Sequence, residues 1–300
     1  MLRFLPMKPA LKLLKWYQEH GRDLPWRKTR NPYHILVSEI MLQQTQVDRV
    51  KTFYRDWLKV FPTWKRLAEA SNEQVVRQWS GLGYNRRALA LRDIAMQVNE
   101  HGIPQTEEDW QKLKGIGPYT ASAISAFAQL KRTMPIDTNI RRVLGRLLFG
   151  IPYPQPDIDS QIQSSMETFL PKSGVFYDVP QALFDLATTT CTKIPTCSEC
   201  PLKTICLASQ AFLSGTVSVP KQMVKKAQEQ KHRSKSHPDR IYRGRILAIA
   251  KTEPGTSFED VGPLIDKTFD RKLDQAWVES MIKRLENEGL LKTNARTILL

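Results

Sequence analysis

The sequence predicts a mostly α-helical protein that ends in a small module of mixed α/β structure. Residues 1 to about 212 have dense helix-like periodicity, broken by turns such as "FPTW" and "GLGYN", and show no clear run of alternating strands. After residue 240, three short helical segments precede "RTILL", which suits a strand. Three helices followed by a strand are typical of a winged-helix-like module.

The charge of the 300-residue chain favours a polyanionic partner. Lysine and arginine number 45 against 30 aspartate and glutamate, a formal net charge of +15. Such a balance favours nucleic acid through release of condensed counterions. A solvated basic surface is the plainer alternative, and an anionic membrane is less favoured because no basic amphipathic anchor helix is evident.

The start of the chain, "MLRFLPMKPALKLLKW", contains no sustained apolar run. Neither a signal peptide nor a membrane span is therefore expected. These features predict a soluble monomer that is cytoplasmic and, in a prokaryote, associated with the nucleoid.

The segment "HILVSEIMLQQTQV" predicts a helix with a glutamate in its apolar part. Asn31 can cap this helix and Pro32 suits its first position. Glu39 shares a stripe with Ile35 and Leu42, which lie four residues before it and three after it. Because burying a carboxylate among hydrocarbons is costly, Glu39 is a candidate functional residue.

The segment "LKGIGPYTASAISAFA" predicts a tight turn between two helices. Gly115 and Gly117 permit the turn, Pro118 suits the start of the second helix, and "EEDWQKL" supplies the first. In such a helix–hairpin–helix, backbone N–H groups can approach a phosphate closely. An ordinary glycine turn is the alternative.

A second carboxylate, Asp137, precedes the strongly helical run "TNIRRVLGRLLFG". The plainest interpretation is a helix N-cap. Asp137 could also stabilise a nearby cation, and with Glu39 it would form a pair in which one carboxyl is buried and protonated while the other stays ionised. Cleavage of a glycosidic bond uses such a division of labour.

All four cysteines occur in "CTKIPTCSECPLKTIC", with the spacing C-x5-C-x2-C-x5-C. Such a short loop suits a metal or a cluster better than disulfides. Zinc usually has two CxxC pairs, whereas this loop has one, and the wider spacing favours a [4Fe–4S] cluster. Zinc and a disulfide pair remain alternatives. The candidate ligands are Cys191, Cys197, Cys200 and Cys206.

Six segments together resemble the adenine DNA glycosylases, the MutY family of the helix–hairpin–helix endonuclease III superfamily. They are "RDLPWR", "PYHILVSEIMLQQTQV", "GLGY", "KGIGPYT", "DTNIRRVL" and "CSECPL". The resemblance covers about residues 10 to 210. It implies a two-lobed glycosylase fold with a [4Fe–4S] cluster, and double-stranded DNA containing a mispair as the partner.

The resemblance also implies roles for individual residues. Glu39 would protonate a ring nitrogen of a flipped-out adenine, and Asp137 would stabilise the oxocarbenium-like sugar, directly or through a transient covalent adduct. Tyr119 occupies the position of the Schiff-base lysine in lyase-competent relatives, which predicts a monofunctional enzyme. Asn139 would orient water and polar groups near the sugar.

Further positions are implied to contact DNA. Arg22 and Trp26 would line the adenine pocket, while Gln44 and Tyr84 would wedge into the duplex beside the mispair. Plainer alternatives are core aromatic residues and an exposed helix residue. We expect the mispair to hold adenine opposite 8-oxoguanine or guanine.

The sequence departs from the family pattern in several places. The first cysteine spacing is one residue shorter than the usual C-x6-C, Asn85 replaces a common second tyrosine, and "DTN" replaces "DGN". Nothing at the C-terminal end resembles the Nudix-like domain that helps the family recognise 8-oxoguanine. Recognition of the opposite base is therefore the least determined property.

The predicted organisation has four parts. They are a cluster lobe (1–25 and 135–212), a six-helix lobe (26–134), a basic linker (213–240) and the winged-helix-like module (241–300). The polar, basic texture of the linker is typical of a mobile arm. The module could insert a helix into a DNA groove or present a face to a protein partner.

Two other functions compete with adenine excision. A thymine or uracil mismatch glycosylase of the same superfamily would carry both carboxylates and often the tyrosine, but "LQQTQ" and "GLGY" favour the adenine branch. A non-catalytic DNA-binding damage sensor would not need Glu39 and Asp137. Their presence argues against it.

Overall fold

Helices make up most of the structure, a computed structural model that describes residues 8–220, 229 and 231–300. Before the linker, the helices are α1 (Lys8–His20), α2 (Pro32–Leu42), α3 (Val47–Val60), α4 (Trp64–Ala68), α5 (Asn72–Trp79), α6 (Arg86–His101), α7 (Glu107–Lys112), α8 (Pro118–Phe127), α9 (Thr138–Phe149), α10 (Asp159–Phe169), α11 (Asp178–Thr189) and α12 (Ser209–Leu213). Short 3₁₀ helices span Pro25–Lys28, Pro156–Ile158 and Cys197–Glu199. After the linker come α13 (Asp239–Thr252), α14 (Phe258–Ile265) and α15 (Arg271–Asn287), with strands β1 (Thr256–Ser257), β2 (Lys292–Asn294) and β3 (Thr297–Leu299).

The described residues form two compact units. The first comprises 8–35, 105–112 and 116–220, and the second comprises 36–104, 113–115, 229 and 231–300. None of the helices described above has the length and apolarity that crossing a membrane requires.

The core of the first unit lies between α1, α9 and α11, which pack against one another. On α9 the buried residues Ile140, Val143, Leu144 and Leu147 recur at helical spacing. They meet buried leucines of α1 and α11, among them Leu13, Leu183 and Leu186. This packing holds in place the first turn of α9, where Asp137 lies.

The predicted helix–hairpin–helix is confirmed. In the first unit α7 and α8 pack against each other, and Pro118 is the first residue of α8. Gly115 has a φ of +101°, a conformation that side chains disfavour, so glycine is required at this turn. Gly117 has an extended backbone and caps α8.

The start of α2 is also confirmed. Pro32 is its first residue, and the Asn31 side-chain oxygen accepts a hydrogen bond from the Tyr33 N–H at 2.9 Å. From Ile35 to Met41 every residue is buried. The helix is therefore enclosed on all sides rather than amphipathic, and its one carboxylate is enclosed with it.

In the second unit, helices α3 to α6 surround two tryptophans. Trp57 and Trp79 are fully buried, and their rings meet edge to face at 5.3 Å between centroids. A capping box between Ser71 and Gln74 fixes the start of α5. This packing orients the loop from Ser80 to Asn85 that follows α5.

The C-terminal module contains the three predicted helices and the predicted strand at Thr297–Leu299. Two further strands complete an antiparallel sheet of order β1-β3-β2, in which Thr293 pairs with Ile298. The mostly helical fold class with a small C-terminal α/β module is thus confirmed.

The module shares its core with the neighbouring helices of the second unit. Val76 of α5 belongs to the same buried cluster as Tyr242, Ile246 and Trp277. The Asn72 side-chain amide donates to the Gly289 carbonyl at 3.0 Å. The module is therefore packed onto α5 and α6 rather than tethered beside them.

Part of the stretch predicted as a basic linker is fastened to this module. The ammonium of Lys235 is buried and lies 2.6 Å from an Asp266 oxygen and 2.5 Å from an Asp274 oxygen. Arg233 contacts the other Asp274 oxygen at 2.9 Å. His232, Arg233 and Lys235 thus contribute to a buried ion cluster, so the mobile arm predicted for residues 213–240 is wrong at these positions. Residues 221–228 and 230 of the predicted arm lie outside the described residues.

The ion cluster has a defined response to pH. Burial alone would raise the pKa of Asp274, but hydrogen bonds from Lys235, the Asp270 backbone and Arg233 lower it from 3.8 to about 2. A carboxyl with a lowered folded-state pKa contributes stability above its unfolded-state pKa, and that contribution is lost as the pH falls. For Asp274 the loss occurs between about pH 4 and pH 2.

We predict that Lys235→Ala lowers the free energy of unfolding by about 3 kcal/mol, because it leaves two buried carboxylates without their shared cation. Urea unfolding of the full chain at pH 7, followed by tryptophan fluorescence, measures the change. The control is Lys231→Ala, at an exposed lysine four residues earlier. Equal midpoints for the two variants would show that the buried cluster does not stabilise the fold.

Candidate active site

Glu39 lies within the enclosed part of α2 and belongs to the second unit. Only 8% of its surface is exposed, and its sequence neighbours Ser38 and Ile40 are more deeply buried. The burial expected from the sequence is therefore confirmed. The carboxyl of Glu39 is therefore shielded from bulk water.

A half-buried arginine, Arg87, braces the end of the helix that carries Glu39. Its guanidinium donates to carbonyls of Ile40 at 2.7 Å and Met41 at 3.2 Å, in the last turn of α2. It also donates to Gln43 O, Thr45 Oγ1 and Gly83 O. Burial lowers the pKa of Arg87 to about 10, so the side chain stays charged at neutral pH. No local sequence pattern singles out Arg87, because most of its acceptors are backbone carbonyls.

The two residues predicted to wedge into a duplex share an unusual backbone. Gln44 has a φ of 55° and Tyr84 a φ of 49°, in the left-handed region that residues other than glycine seldom occupy. Both side chains are exposed. Each lies next to a residue whose carbonyl Arg87 holds, Gln43 and Gly83 respectively. Strain of this kind is concentrated at functional sites.

Gln44 and Tyr84 also line the same groove. Its volume is about 840 Å³, and all of its lining residues belong to the second unit. The structure thus brings together the two predicted wedge residues, which are forty residues apart in the sequence.

Asp137 belongs to the first unit and caps α9, as its sequence position predicted. One carboxylate oxygen accepts the backbone N–H groups of Asn139 and Ile140, both at 2.8 Å. The other accepts the Asn139 side-chain amide at 2.7 Å. These bonds fix the carboxylate at the positive end of the helix dipole, and the half-buried group is held in one orientation.

Asn139 links Asp137 to the cysteine loop. Its side-chain oxygen accepts a hydrogen bond from Arg142 at 3.1 Å, and Arg142 also donates to the Cys191 carbonyl at 2.9 Å. A second bond from Arg142 reaches the Ala187 carbonyl. The orientation of Asp137 is therefore connected, through two side chains, to the backbone at the first cysteine.

Tyr119 and Trp26 lie in the first unit, each near the start of a helix. Tyr119 is the second residue of α8 and is half-buried, and Trp26 is 5% exposed within the 3₁₀ helix Pro25–Lys28. At Gly117 an added Cβ would meet nothing within 4 Å. The backbone at the start of α8 is therefore open to close approach.

Arg22 is held by a buried aspartate that the sequence did not single out. Its backbone N–H and Nε donate to Asp185 at 2.8 and 2.6 Å, and Arg27 donates to both oxygens of the same carboxylate. Burial would raise the pKa of Asp185, but the two arginines lower it below its usual value. Asp185 lies on α11, far from Arg22 in sequence, so no local pattern could reveal the pair.

The four cysteines line one small cavity in the first unit, together with Arg146 and Lys203. All four are free thiols, which disfavours the predicted disulfide alternative. Burial raises the pKa of Cys197 and Cys206, and it raises that of Cys200 to about 11. These thiols would thus remain protonated until a metal replaced their protons.

The cavity offers four sulfur donors beside a cation. Among the described residues, no group of three or more Cys, His, Asp or Glu side chains is placed to hold a metal ion. The buried guanidinium of Arg146 lies 3.4 Å from the Cys191 sulfur and offsets negative charge there. A cluster ligated by four thiolates fits this donor set.

Comparison with known proteins gives one family match and close relatives. The family model described as "HhH-GPD superfamily base excision DNA repair protein" matches residues 37–167. The adenine DNA glycosylase of Mycolicibacterium smegmatis is 34% identical over 286 residues, which cover 91% of this chain and 92% of that protein. The adenine DNA glycosylase of Homo sapiens is 39% identical over 211 residues, 66% of this chain and 39% of that protein. The mycobacterial match therefore reaches into the C-terminal module.

Solved structures show the same fold. A thermostable thymine-DNA glycosylase matches with a TM-score of 0.63 and 26% identity, covering 68% of this chain and 96% of that one. Endonuclease III in a non-covalent DNA complex matches with a TM-score of 0.58 and 16% identity, covering 69% and 96%. Because the second match is only 16% identical, it shows similarity of fold and nothing more.

We predict that Asp185→Asn lowers the free energy of unfolding by about 3 kcal/mol, because it leaves the buried guanidinium of Arg27 without a counter-charge. Urea unfolding followed by circular dichroism measures the loss. Asp23→Asn is the matched control: its pair with Lys28 is exposed and is worth less than about 1 kcal/mol. A loss no larger than that of the control would show that the Arg22–Asp185–Arg27 cluster is not a structural anchor.

Proposed function

This chain belongs to the adenine DNA glycosylases of the helix–hairpin–helix base excision repair superfamily, and from that premise we propose how its residues excise adenine from DNA. The observation that carries the proposal is the contrast between two carboxylates. Glu39 is enclosed in a buried helix, whereas Asp137 is held by three N–H donors at a helix N-terminus. These environments suit a proton donor and an anion.

Glu39 supplies the proton. Once adenine has left the base stack, the carboxylic acid transfers its proton to a ring nitrogen of the base. The bond between the sugar C1′ and the base nitrogen then breaks, and its electron pair leaves with the neutral base. Water adds to C1′ and loses a proton to the Glu39 carboxylate, which restores the acid.

Asp137 stabilises the sugar as the bond breaks. The sugar acquires oxocarbenium character, and a fixed carboxylate lowers the energy of that cation without having to reorganise. A transient covalent adduct would instead join a carboxylate oxygen of Asp137 to C1′. Asn139 holds the second carboxylate oxygen and is placed to orient water, so its role is positioning.

Tyr119 makes the enzyme monofunctional. A phenol cannot form the imine that a Schiff-base lysine would form at this position. The product is therefore an intact strand with an abasic site.

The remaining proposed contacts are with DNA. Arg22 and Trp26 line the base pocket, Gln44 and Tyr84 wedge into the duplex, and the backbone at Gly115 and Gly117 approaches phosphate. The substrate is double-stranded DNA with adenine opposite 8-oxoguanine or guanine. The enzyme acts as a monomer, at the nucleoid if the organism is prokaryotic.

The cysteine loop holds a [4Fe–4S] cluster through its four thiolates. When bound, the cluster ties together the loop from Cys191 to Cys206. The Arg142 bonds to Cys191 and Asn139 would carry this order to the first turn of α9. We assign the cluster a structural role.

We predict that Glu39→Gln and Asp137→Asn each lower single-turnover excision of adenine by at least about 10²-fold, because each keeps the side-chain shape and removes its acid–base or charge function. Quench-flow assays measure the rate on duplexes with A opposite 8-oxoguanine, A opposite G, and T or U opposite G. Both variants should fold normally and bind DNA.

Three outcomes of the same assay would contradict the proposal. Excision of T or U in preference to A would indicate a thymine or uracil mismatch glycosylase, and binding without excision would indicate a damage sensor. Prompt strand nicking, trapped by borohydride, would show that Tyr119 does not exclude lyase activity.

We predict about four irons per chain in anaerobically purified protein, with the broad visible absorption of an iron–sulfur cluster. Cys197→Ala should lose iron and become sensitive to limited proteolysis around residues 190–210, because one of the four ligands is gone. Ser198→Ala, at the exposed next residue, is the control and should keep its iron. Stoichiometric zinc without iron would show that the shortened spacing selects a different metal.

A further inference from the structure

The groove beside the wedge residues has a wall built by the C-terminal module. One side consists of residues 43–46 and 80–87, and the facing side consists of residues from α13 together with Leu285, Glu288 and Leu290. All of these residues belong to the second unit. The module thus forms part of the same surface as Gln44 and Tyr84.

We propose that this groove binds the DNA strand opposite the excised adenine, with α13 as its outer wall. The proposal rests on the proposed function, because the wedge role of Gln44 and Tyr84 identifies the strand. It assigns the C-terminal module to DNA binding rather than to a protein partner.

The charge of the groove suits a phosphate backbone. Six arginines line it, against a single carboxylate, Glu288. That carboxylate is already paired with Arg243. Arg86 and Arg245 are exposed. Arg240 forms an ion pair with the half-exposed Glu229, a weak surface pair that a phosphate can displace.

The shape of α13 permits close approach. Arg240, Gly244 and Ala248 follow one another at helical spacing along its groove side, and all three are exposed. At Gly244 an added Cβ would meet nothing within 4 Å. A DNA strand can therefore lie against the backbone of α13 at Gly244, between Arg243 and Arg245.

The wall is formed before any ligand binds. Arg77 donates to the Lys251 carbonyl at 3.2 Å, and Lys251 donates to the Arg77 carbonyl at 3.1 Å, which joins the end of α13 to α5. Together with the bond from Asn72 to Gly289, these contacts fix α13 relative to the loop that carries Tyr84. A preformed surface binds without paying the entropy of ordering.

Gly244 offers a direct test, because the open space beside it accepts a side chain without disturbing the core. Gly244→Glu places a negative charge in the groove and Gly244→Trp fills it. Each should raise the Kd for a mispaired duplex at least about tenfold, measured by fluorescence anisotropy at fixed salt.

Two control variants distinguish a blocked groove from the effects of substituting Gly244 and of adding a negative charge to α13. Gly244→Ala keeps the groove open and should bind within about twofold of wild type, with a helix stabilised by loss of a glycine. Thr252→Glu adds the same charge at an exposed position of α13 that does not line the groove, and it too should bind within about twofold.

The strand is identified by substituting neutral methylphosphonates for single phosphates. In wild type, substitutions opposite the adenine should weaken binding, and in Gly244→Glu the same substitutions should have a smaller effect, because that contact is already lost. Substitutions flanking the adenine should weaken both proteins equally.

The proposal is overturned if Gly244→Glu and Gly244→Trp bind like Thr252→Glu. It is also overturned if the methylphosphonate effect moves to the adenine strand, or if the excision rate falls while Kd is unchanged. Failure of the proposed function looks different, because wild-type protein would then bind the duplexes without releasing adenine from any of them.

Discussion

One half-buried guanidinium, that of Arg87, holds together the part of the second unit that carries Glu39, the proposed acid. The last carbonyls of any α-helix lack partners within the helix, and Ile40 and Met41 near the end of α2 are buried residues. Arg87 donates to the carbonyls of Ile40 and Met41, which directly follow Glu39. A lysine could not replace it, because one ammonium lacks the planar fork that reaches several carbonyls at once.

The same side chain links the helix of Glu39 to Gln44 and Tyr84, the two proposed wedge residues. Arg87 contacts two loops, one containing Gln44 and the other containing Tyr84. Both of these residues have a positive φ. An unsupported loop would relax from that conformation, which costs about 1–3 kcal/mol per residue. The bonds from Arg87 offset this cost, so the backbone at Gln44 and Tyr84 is held in this conformation. Pre-organisation of this kind would serve the proposed wedge role, since an enzyme that flips a base must stabilise an unstacked duplex.

The sequence predicted features that arise within one helix or turn. The cap at Asp137 and the start of α2 at Pro32 depend on residues a few positions apart, and both are confirmed. The burial of Glu39 followed from its stripe on a helix. The partners of Arg87 could not be predicted, because most of them are backbone carbonyls. Those of Asp185 could not be predicted because they lie more than 150 residues away. Lys235 shows the same limit. It lies in a polar, basic stretch whose composition predicts a solvated linker, whereas its burial depends on ion pairs with the distant Asp266 and Asp274.

Net charge predicts the class of partner but not the surface that binds it. The long-range field of the protein sums all its charges, so an excess of +15 attracts a polyanion wherever the cations lie. Contact with phosphate is different, because it requires guanidinium groups that are exposed and weakly paired. Arg27 and Lys235 are buried in ion pairs, so they cannot leave them for DNA without exposing a buried carboxylate. Exposed Arg86 and Arg240 carry no such constraint, and both lie on the groove that Gln44 and Tyr84 share. The binding surface therefore depends on which cationic side chains remain exposed after others are buried in ion pairs.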